Sequence, residues 1–206
     1  MAIIGITGGI ASGKSTFSRA LAEIQGASIF DSDACARELL DSDPAVREAV
    51  TRDILPTAYR PDGTPDRAAI RALVFSDPAA KARLEAILHP LVRARRQALA
   101  DDARVEGRDL LVDIPLLFET SASSGFDLVV TVACSPEIQT RRAMSRGLTL
   151  VQVQQIVASQ WGNAQKIAQS DCVIWNDGSL RMLQAQADEL AACLESRALK
   201  IKPSVS

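Results

Sequence analysis

Gly8-Gly9-Ile10-Ala11-Ser12-Gly13-Lys14-Ser15-Thr16 fits the pattern of Gly, four residues, Gly, Lys, then Ser or Thr. Glycines let the backbone take dihedrals that a Cβ disfavours, so the loop's N–H groups can turn inward as a nest for anionic oxygens. A helix beginning there adds its positive end. Lys14 suits the β/γ-phosphates as a compact charge, and the Ser15 hydroxyl suits Mg²⁺. The candidate cradle is therefore Gly9, Ile10, Ala11, Ser12, Gly13, Lys14, Ser15 and Thr16. Its ligand would be a nucleoside triphosphate with Mg²⁺. The loop alone does not separate a small-molecule kinase from a GTPase, a motor or an ATP-driven switch.

Other residues could complete such chemistry. Asp31-Ser32-Asp33 offers two carboxylates at i, i+2. Such a pair can accept the proton of an attacking hydroxyl or hold that hydroxyl in line. The competing reading is that Asp33 or Ser32 caps a helix over 34–40. Asp113 ends the apolar run Leu110-Leu111-Val112, where a carboxylate can hold Mg²⁺ directly or through water. Arg142 and Arg146, four apart on one predicted helix face, could close over phosphoryl oxygens or simply be solvated. His89, the only histidine, stands before Pro90, a place more common for a structural residue than for a catalyst.

These residues need a scaffold. Five short apolar runs read as strands: 2–7, 27–31, 109–114, 127–133 and 171–175. They are rich in Val, Ile and Leu without strict alternation, as in a parallel sheet buried on both faces. Ligands on such sheets bind beyond the carboxyl ends of the strands, which here carry Thr7, Asp31, Asp113, Ser135 and Asn176. Residues 32–107 are too long for a simple crossover and carry helical patterns over 66–75, 78–88 and onward from His89-Pro90. Residues 136–168 form a further helical region. A last helix over 179–197 has Leu180, Leu183, Leu190 and Leu194 at core-facing spacing. The fold class expected is a three-layer α/β/α arrangement with a five-stranded parallel sheet. The core covers about 1–31, 107–135 and 170–200, a helical substrate-binding insertion about 32–106, and a helical lid about 136–169.

The 206 residues carry Lys+Arg 23 against Asp+Glu 25, a net charge of −2 that argues against a polyanion partner. Cys35, Cys134, Cys172 and Cys193 form no CxxC pair, so a zinc site is not expected and reduced thiols in the cytoplasm are. Cys134, Cys172, Trp161 and Trp175 read as core residues. No apolar run approaches the ~18 residues of a membrane span, and no obligate protein partner is evident. The tail 200–206 reads as frayed.

Taken in order, several segments resemble the dephospho-CoA kinase family. They are Thr7 to Ser15, Asp31-Ser32-Asp33-Ala34-Cys35-Ala36-Arg37-Glu38, and Ile87-Leu88-His89-Pro90-Leu91. Asp113-Ile114-Pro115-Leu116-Leu117-Phe118-Glu119, Ser135-Pro136-Glu137, Arg142-Ala143-Met144-Ser145-Arg146 and Asn176-Asp177-Gly178-Ser179 continue the match. The resemblance implies a P-loop kinase that moves the ATP γ-phosphoryl group to the ribose 3′-hydroxyl of dephospho-CoA, with Mg²⁺. It also implies Asp33 as base, Lys14 and Arg142 as phosphate contacts, and Arg146 and Asn176 on the ATP side. Asp31, Asp33, Arg37 and His89 fall on the acceptor side, and Ser15 and Asp113 on the metal. Ala11 stands where the family most often has glycine, and the segment around Lys166 departs from the usual form.

Two rival readings stand beside this one: a kinase of the same architecture with another acceptor, and a nucleotide-dependent switch. The acidic Asp31/Asp33 pair suits a hydroxyl acceptor better than an anionic phosphate. No Asn-Lys-x-Asp guanine-reading segment occurs.

Overall fold

The computed structural model describes residues 1–120 and 122–196. Five strands, β1 (Ile3–Thr7), β2 (Ser28–Asp31), β3 (Leu110–Asp113), β4 (Leu128–Ala133) and β5 (Cys172–Trp175), form one sheet in the order β2-β3-β1-β4-β5. β1 lies parallel to β3 and β4, and β4 parallel to β5. Every residue of β1, β3 and β4 is buried, as near-continuous apolar runs require. The edge strands differ from the expectation of two-sided burial. In β5, Val173 and Trp175 are exposed, and in β2, Ile29 and Asp31 are.

Three aspartates pin the register at the amino edge of the sheet. The Asp109 carboxylate accepts from the Ala2 N–H at 2.5 Å, Asp127 from Ile3 at 2.7 Å and Asp171 from Val129 at 2.9 Å. Each stands just before a strand and bonds the chain of the neighbouring one. A one-residue slip would break these bonds and move each strand's side chains to the opposite face of the sheet, into packing they do not fit.

The chain divides into two compact units, Met1–Phe30 with the chain from Leu99 onward, and Asp31–Ala98. In the first, α1 (Lys14–Gln25) packs beside α9 (Leu180–Glu195). Phe17 and Leu21, one turn apart on α1, are fully buried with Leu183, Ala187 and Leu190. Leu180, expected to face the core, is exposed because α9 begins there. Arg197 and the tail 200–206 lie outside the described residues. The helical region expected over 136–168 is built of three helices: α6 (Pro136–Ser145), α7 (Leu150–Ala158) and α8 (Asn163–Gln169). Gly147 at φ 91 follows α6, and Thr149 caps α7 in a reciprocal bond pair with Gln152.

The second unit holds α2 (Ser32–Ser42), α3 (Pro44–Asp53), α4 (Arg67–Ser76) and the first part of α5 (Pro78–Glu106). Aspartates start the first three. Asp31 accepts from Ala34 N–H at 2.8 Å, Asp43 from Ala45 at 2.9 Å, and Asp66 from Ala69 at 3.0 Å. The cap of α2 is thus Asp31, not Ser32 or Asp33. A second correction concerns α5: no new helix opens at His89-Pro90, because one 29-residue helix runs through it. Pro90 removes one N–H and crowds a carbonyl one turn back. The surrounding Leu, Ala and Arg residues are strong helix formers and carry the helix past it. Arg95 bonds Glu38 at 2.8 Å and Arg67 bonds Asp41 at 2.5 Å, tying α5 and α4 to α2.

Candidate active site

The loop 8–13 leaves the carboxyl end of β1 and turns directly into α1, whose N-cap is Gly13 at φ 97. Only glycine takes this dihedral at little cost, and a Cβ there would also strike the Asn176 side-chain amide. The parallel register sets Asp113, the last residue of β3, opposite Ile6. Asp113 thereby reaches the root of the loop, where its carboxylate pairs with Lys14 Nζ. Both side chains are largely buried, at 12% and 6% exposure. The pair keeps two desolvated charges neutralised at the point where a phosphate would arrive.

Side chains from outside the loop hold its shape. Ile10 N–H donates to Gln160 Oε1 at 3.1 Å, and Gln139 Nε2 donates to the Ile10 carbonyl at 2.9 Å. Asn176 Nδ2 donates to the Ser12 carbonyl at 2.8 Å. Arg142 Nη1 donates to the Asn176 carbonyl at 2.8 Å, and Asn176 N–H reaches Ala133 O at 2.7 Å. Asn176 is 5% exposed, so it links the loop, Arg142 and the end of β4 from within the core. Ser12 Oγ is buried without a hydrogen-bond partner. Ala11 takes φ 55, the sole non-glycine in the left-handed region among the described residues. Its methyl packs with Ala143 and Val153.

The remaining expected residues fall as follows. Ser15 and Thr16 lie in the first turn of α1 and are exposed. Arg142 lies in the last turn of α6, half-buried beside Cys134 and Asp177. Arg146 is the C-cap of α6 and exposed, so the two arginines do not share one uninterrupted helix face. In the second unit, Asp33 and Arg37 stand one turn apart on α2, both exposed. His89 is exposed on α5, in a groove with Glu85, Arg93 and Gln97.

The tryptophans are not core residues: Trp161 is 39% and Trp175 47% exposed. Trp161 stacks on Phe118 at 6.1 Å between ring centroids, and Trp175 lies on the sheet edge, where its neighbours cover one side only. Cys134 is buried as expected, whereas Cys172 is half-buried. Burial pushes the thiols of Cys35, Cys134 and Cys172 above their ordinary value. The Ser135 N–H, donating at 2.7 Å, holds the Asp177 carboxyl below the usual aspartate value.

Residues the sequence reading missed are Gln139, Gln160 and Glu119 in their contacts with the loop and with Lys166. Gln139 and Gln160, polar residues on or beside amphipathic helices, look like ordinary surface positions and carry no local signal, whereas Glu119 ends a family-like segment whose partner the sequence does not name.

Among the described residues, no three His, Cys, Asp or Glu side chains converge as a metal cage. The oxygen donors available, the Asp113 carboxylate and the Ser15 hydroxyl, suit Mg²⁺. This ion keeps waters and takes phosphate oxygens rather than an all-protein cage. No helix among the described residues is long and apolar enough to cross a membrane.

The family model described as dephospho-CoA kinase matches residues 2–182. A dephospho-CoA kinase of Cupriavidus pinatubonensis is 42% identical over 191 residues, covering 91% of each chain. One from Symbiobacterium thermophilum is 40% identical over 197 residues, covering 94% of this chain and 82% of the relative. Among solved structures, TT1252 from Thermus thermophilus superposes with a TM-score of 0.77 at 35% identity, covering 94% of this chain and 97% of the other. Dephospho-CoA kinase from Campylobacter jejuni, at 24% identity and TM-score 0.71, covers 95% and 98% and shares the fold.

Proposed function

We propose a division of labour among the residues of this chain, which belongs to the dephospho-CoA kinase family and is a P-loop kinase. The reaction is transfer of the ATP γ-phosphoryl group to the ribose 3′-hydroxyl of dephospho-CoA, giving coenzyme A and ADP. The acceptor rests on the family match, and the observation that carries the phosphate site is the Lys14–Asp113 pair beside a left-handed glycine at the carboxyl edge of a parallel sheet.

The loop from Gly9 to Thr16 takes the β- and γ-phosphates on backbone N–H groups at the start of α1. Lys14 turns from Asp113 to the phosphoryl oxygens, exchanging one anion for another. Asp113 and Ser15 would hold Mg²⁺, which when bound offsets phosphate charge. Arg142, oriented by the Asn176 carbonyl, meets charge developing on the transferred group, with Arg146 beyond it. Asn176 acts on the ATP side by holding the Ser12 carbonyl.

Asp33 takes the proton of the 3′-hydroxyl as that oxygen bonds to phosphorus and the bond to the β-phosphate oxygen breaks. The Asp31-Ser32-Asp33 segment, which resembles the family's motif, supports this role for Asp33, while Asp31 caps α2. Arg37 and His89 serve the anionic acceptor from the second unit. The four free thiols fit work in a reducing compartment, the cytoplasm.

The test is ADP release with Mg-ATP in the presence of dephospho-CoA, of AMP, and of no acceptor. ADP formed with dephospho-CoA alone, with coenzyme A as co-product, supports the assignment. Equal release with AMP, or no acceleration by either, refutes it.

A further inference from the structure

We propose that Gln139 and Gln160 are positioning residues that set the phosphate loop through a single peptide-bearing residue, Ile10. The two amides grip both polar groups of that residue from different elements. Gln139 lies on α6, and Gln160 in the connection between α7 and α8. Gln160 Oε1 accepts from Ile10 N–H at 3.1 Å, and Gln139 Nε2 donates to Ile10 O at 2.9 Å. The backbone dictates the amide orientations, since an N–H must meet oxygen and a carbonyl must meet N–H.

Gln139 also lies close over Gly9, where a Cβ would come within 2.5 Å of Nε2. The neighbouring Ala11 is docked by its methyl against Ala143 of α6 and Val153 of α7. The outer side of the loop is therefore fastened to α6, to α7 and to the connection after α7 by two amides and one apolar cluster. A phosphate nest works only while its N–H groups converge. With the polar groups of Ile10 bonded outward, the residues that follow are set for inward-facing donors. The reading rests on this loop being the nucleotide site.

The asymmetry of the two bonds makes the test. In Gln160→Glu the carboxylate still accepts from Ile10 N–H. In Gln139→Glu it loses the donor and faces the Ile10 carbonyl. Both variants add the same charge, so charge alone predicts equal effects. Mg-ADP binding is measured by titration calorimetry, together with the KM for dephospho-CoA and thermal unfolding. Gln139→Glu and Gln160→Leu are expected to raise the Kd for Mg-ADP about tenfold, as for one lost hydrogen bond, with Gln160→Glu within about threefold of wild type. The KM for dephospho-CoA should stay within about twofold in all three, since the bonds hold the ATP side alone.

Equal weakening by the two glutamate variants, or unchanged Mg-ADP affinity in Gln139→Glu and Gln160→Leu, overturns the proposal. Both glutamines are half-buried. If Gln139→Glu fails to fold, Gln160→Leu against Gln160→Glu still decides it. Failure of the wild-type protein to bind Mg-ADP would instead overturn the site reading.

Discussion

Lys166 Nζ, wholly buried, lies 2.8 Å from Glu119 Oε1, 3.0 Å from its Oε2 and 2.9 Å from the Pro115 carbonyl. The ammonium donates to the Pro115 carbonyl and to Glu119 Oε2, and its charge pairs with the same carboxylate through Oε1. Glu119 Oε1 also accepts from the Trp161 N–H at 2.8 Å. The pair therefore ties α8 and the turn before it to the loop that follows β3. Lys166 is a buried strut rather than a cation waiting for phosphate. Lys166→Met is expected to cost about 3–5 kcal/mol, because it strands a desolvated carboxylate. At this chain length that lowers Tm by roughly 10 °C. A normal Tm with a raised KM for ATP would place Lys166 on the nucleotide instead.

Lys14→Ala should reduce phosphoryl transfer at least about 100-fold, as for a lost preorganised charge. It should also destabilise the fold, since the buried Asp113 carboxylate loses its partner. Lys14→Ala/Asp113→Asn should recover part of the lost Tm while staying inactive. Thermal unfolding and steady-state rates of the two variants check both halves. Equal Tm in wild type and Lys14→Ala would show that the pair does not matter to stability.

Asp33→Asn should lower kcat by about 100- to 10,000-fold, the range of general-base removal. The KM for ATP should change little, because the group acts on the acceptor hydroxyl. A loss confined to the KM for ATP would move Asp33 to nucleotide binding.

Ala11→Gly should be close to neutral, although it removes a left-handed alanine. Relief of about 1 kcal/mol of backbone strain is offset by the lost methyl burial, about 0.8 kcal/mol, and by added unfolded-state entropy. Tm should fall by no more than roughly 3 °C. A rise of several degrees would show that the methyl contact with Ala143 and Val153 contributes nothing.

Asp177 gives a pH signature. Its carboxylate accepts from Ser135 N–H, so its folded-state value lies below the ordinary 3.8. A depressed value contributes stability above the unfolded pKa, and that stability is lost as pH falls through the folded value. The Tm difference between wild type and Asp177→Asn should therefore hold steady from pH 7 to about 5 and shrink below 3.8. A difference that persists unchanged under acid would assign the effect to packing.

Local chemistry made some of this legible in sequence. A glycine loop needs its dihedrals wherever it stands, and five apolar runs of strand length must pair. The phosphate loop, its strand and its helix, and the carboxylate at the end of β3 could accordingly be read residue by residue. Tertiary structure decided what depends on partners far along the chain. Asp31, not Asp33, became the cap of α2, since capping turns on the φ/ψ where β2 stops. Helix α5 ran through Pro90, since the residues on both sides outweigh one lost bond. Trp175 came to the surface, since β5 lies at an edge. Ile10 met Gln139 and Gln160, and Lys166 met Glu119, across 129, 150 and 47 residues of chain. Nothing in a glutamine or lysine on or beside a helix announces such a partner, because the pairing exists only once the sheet has brought the elements together.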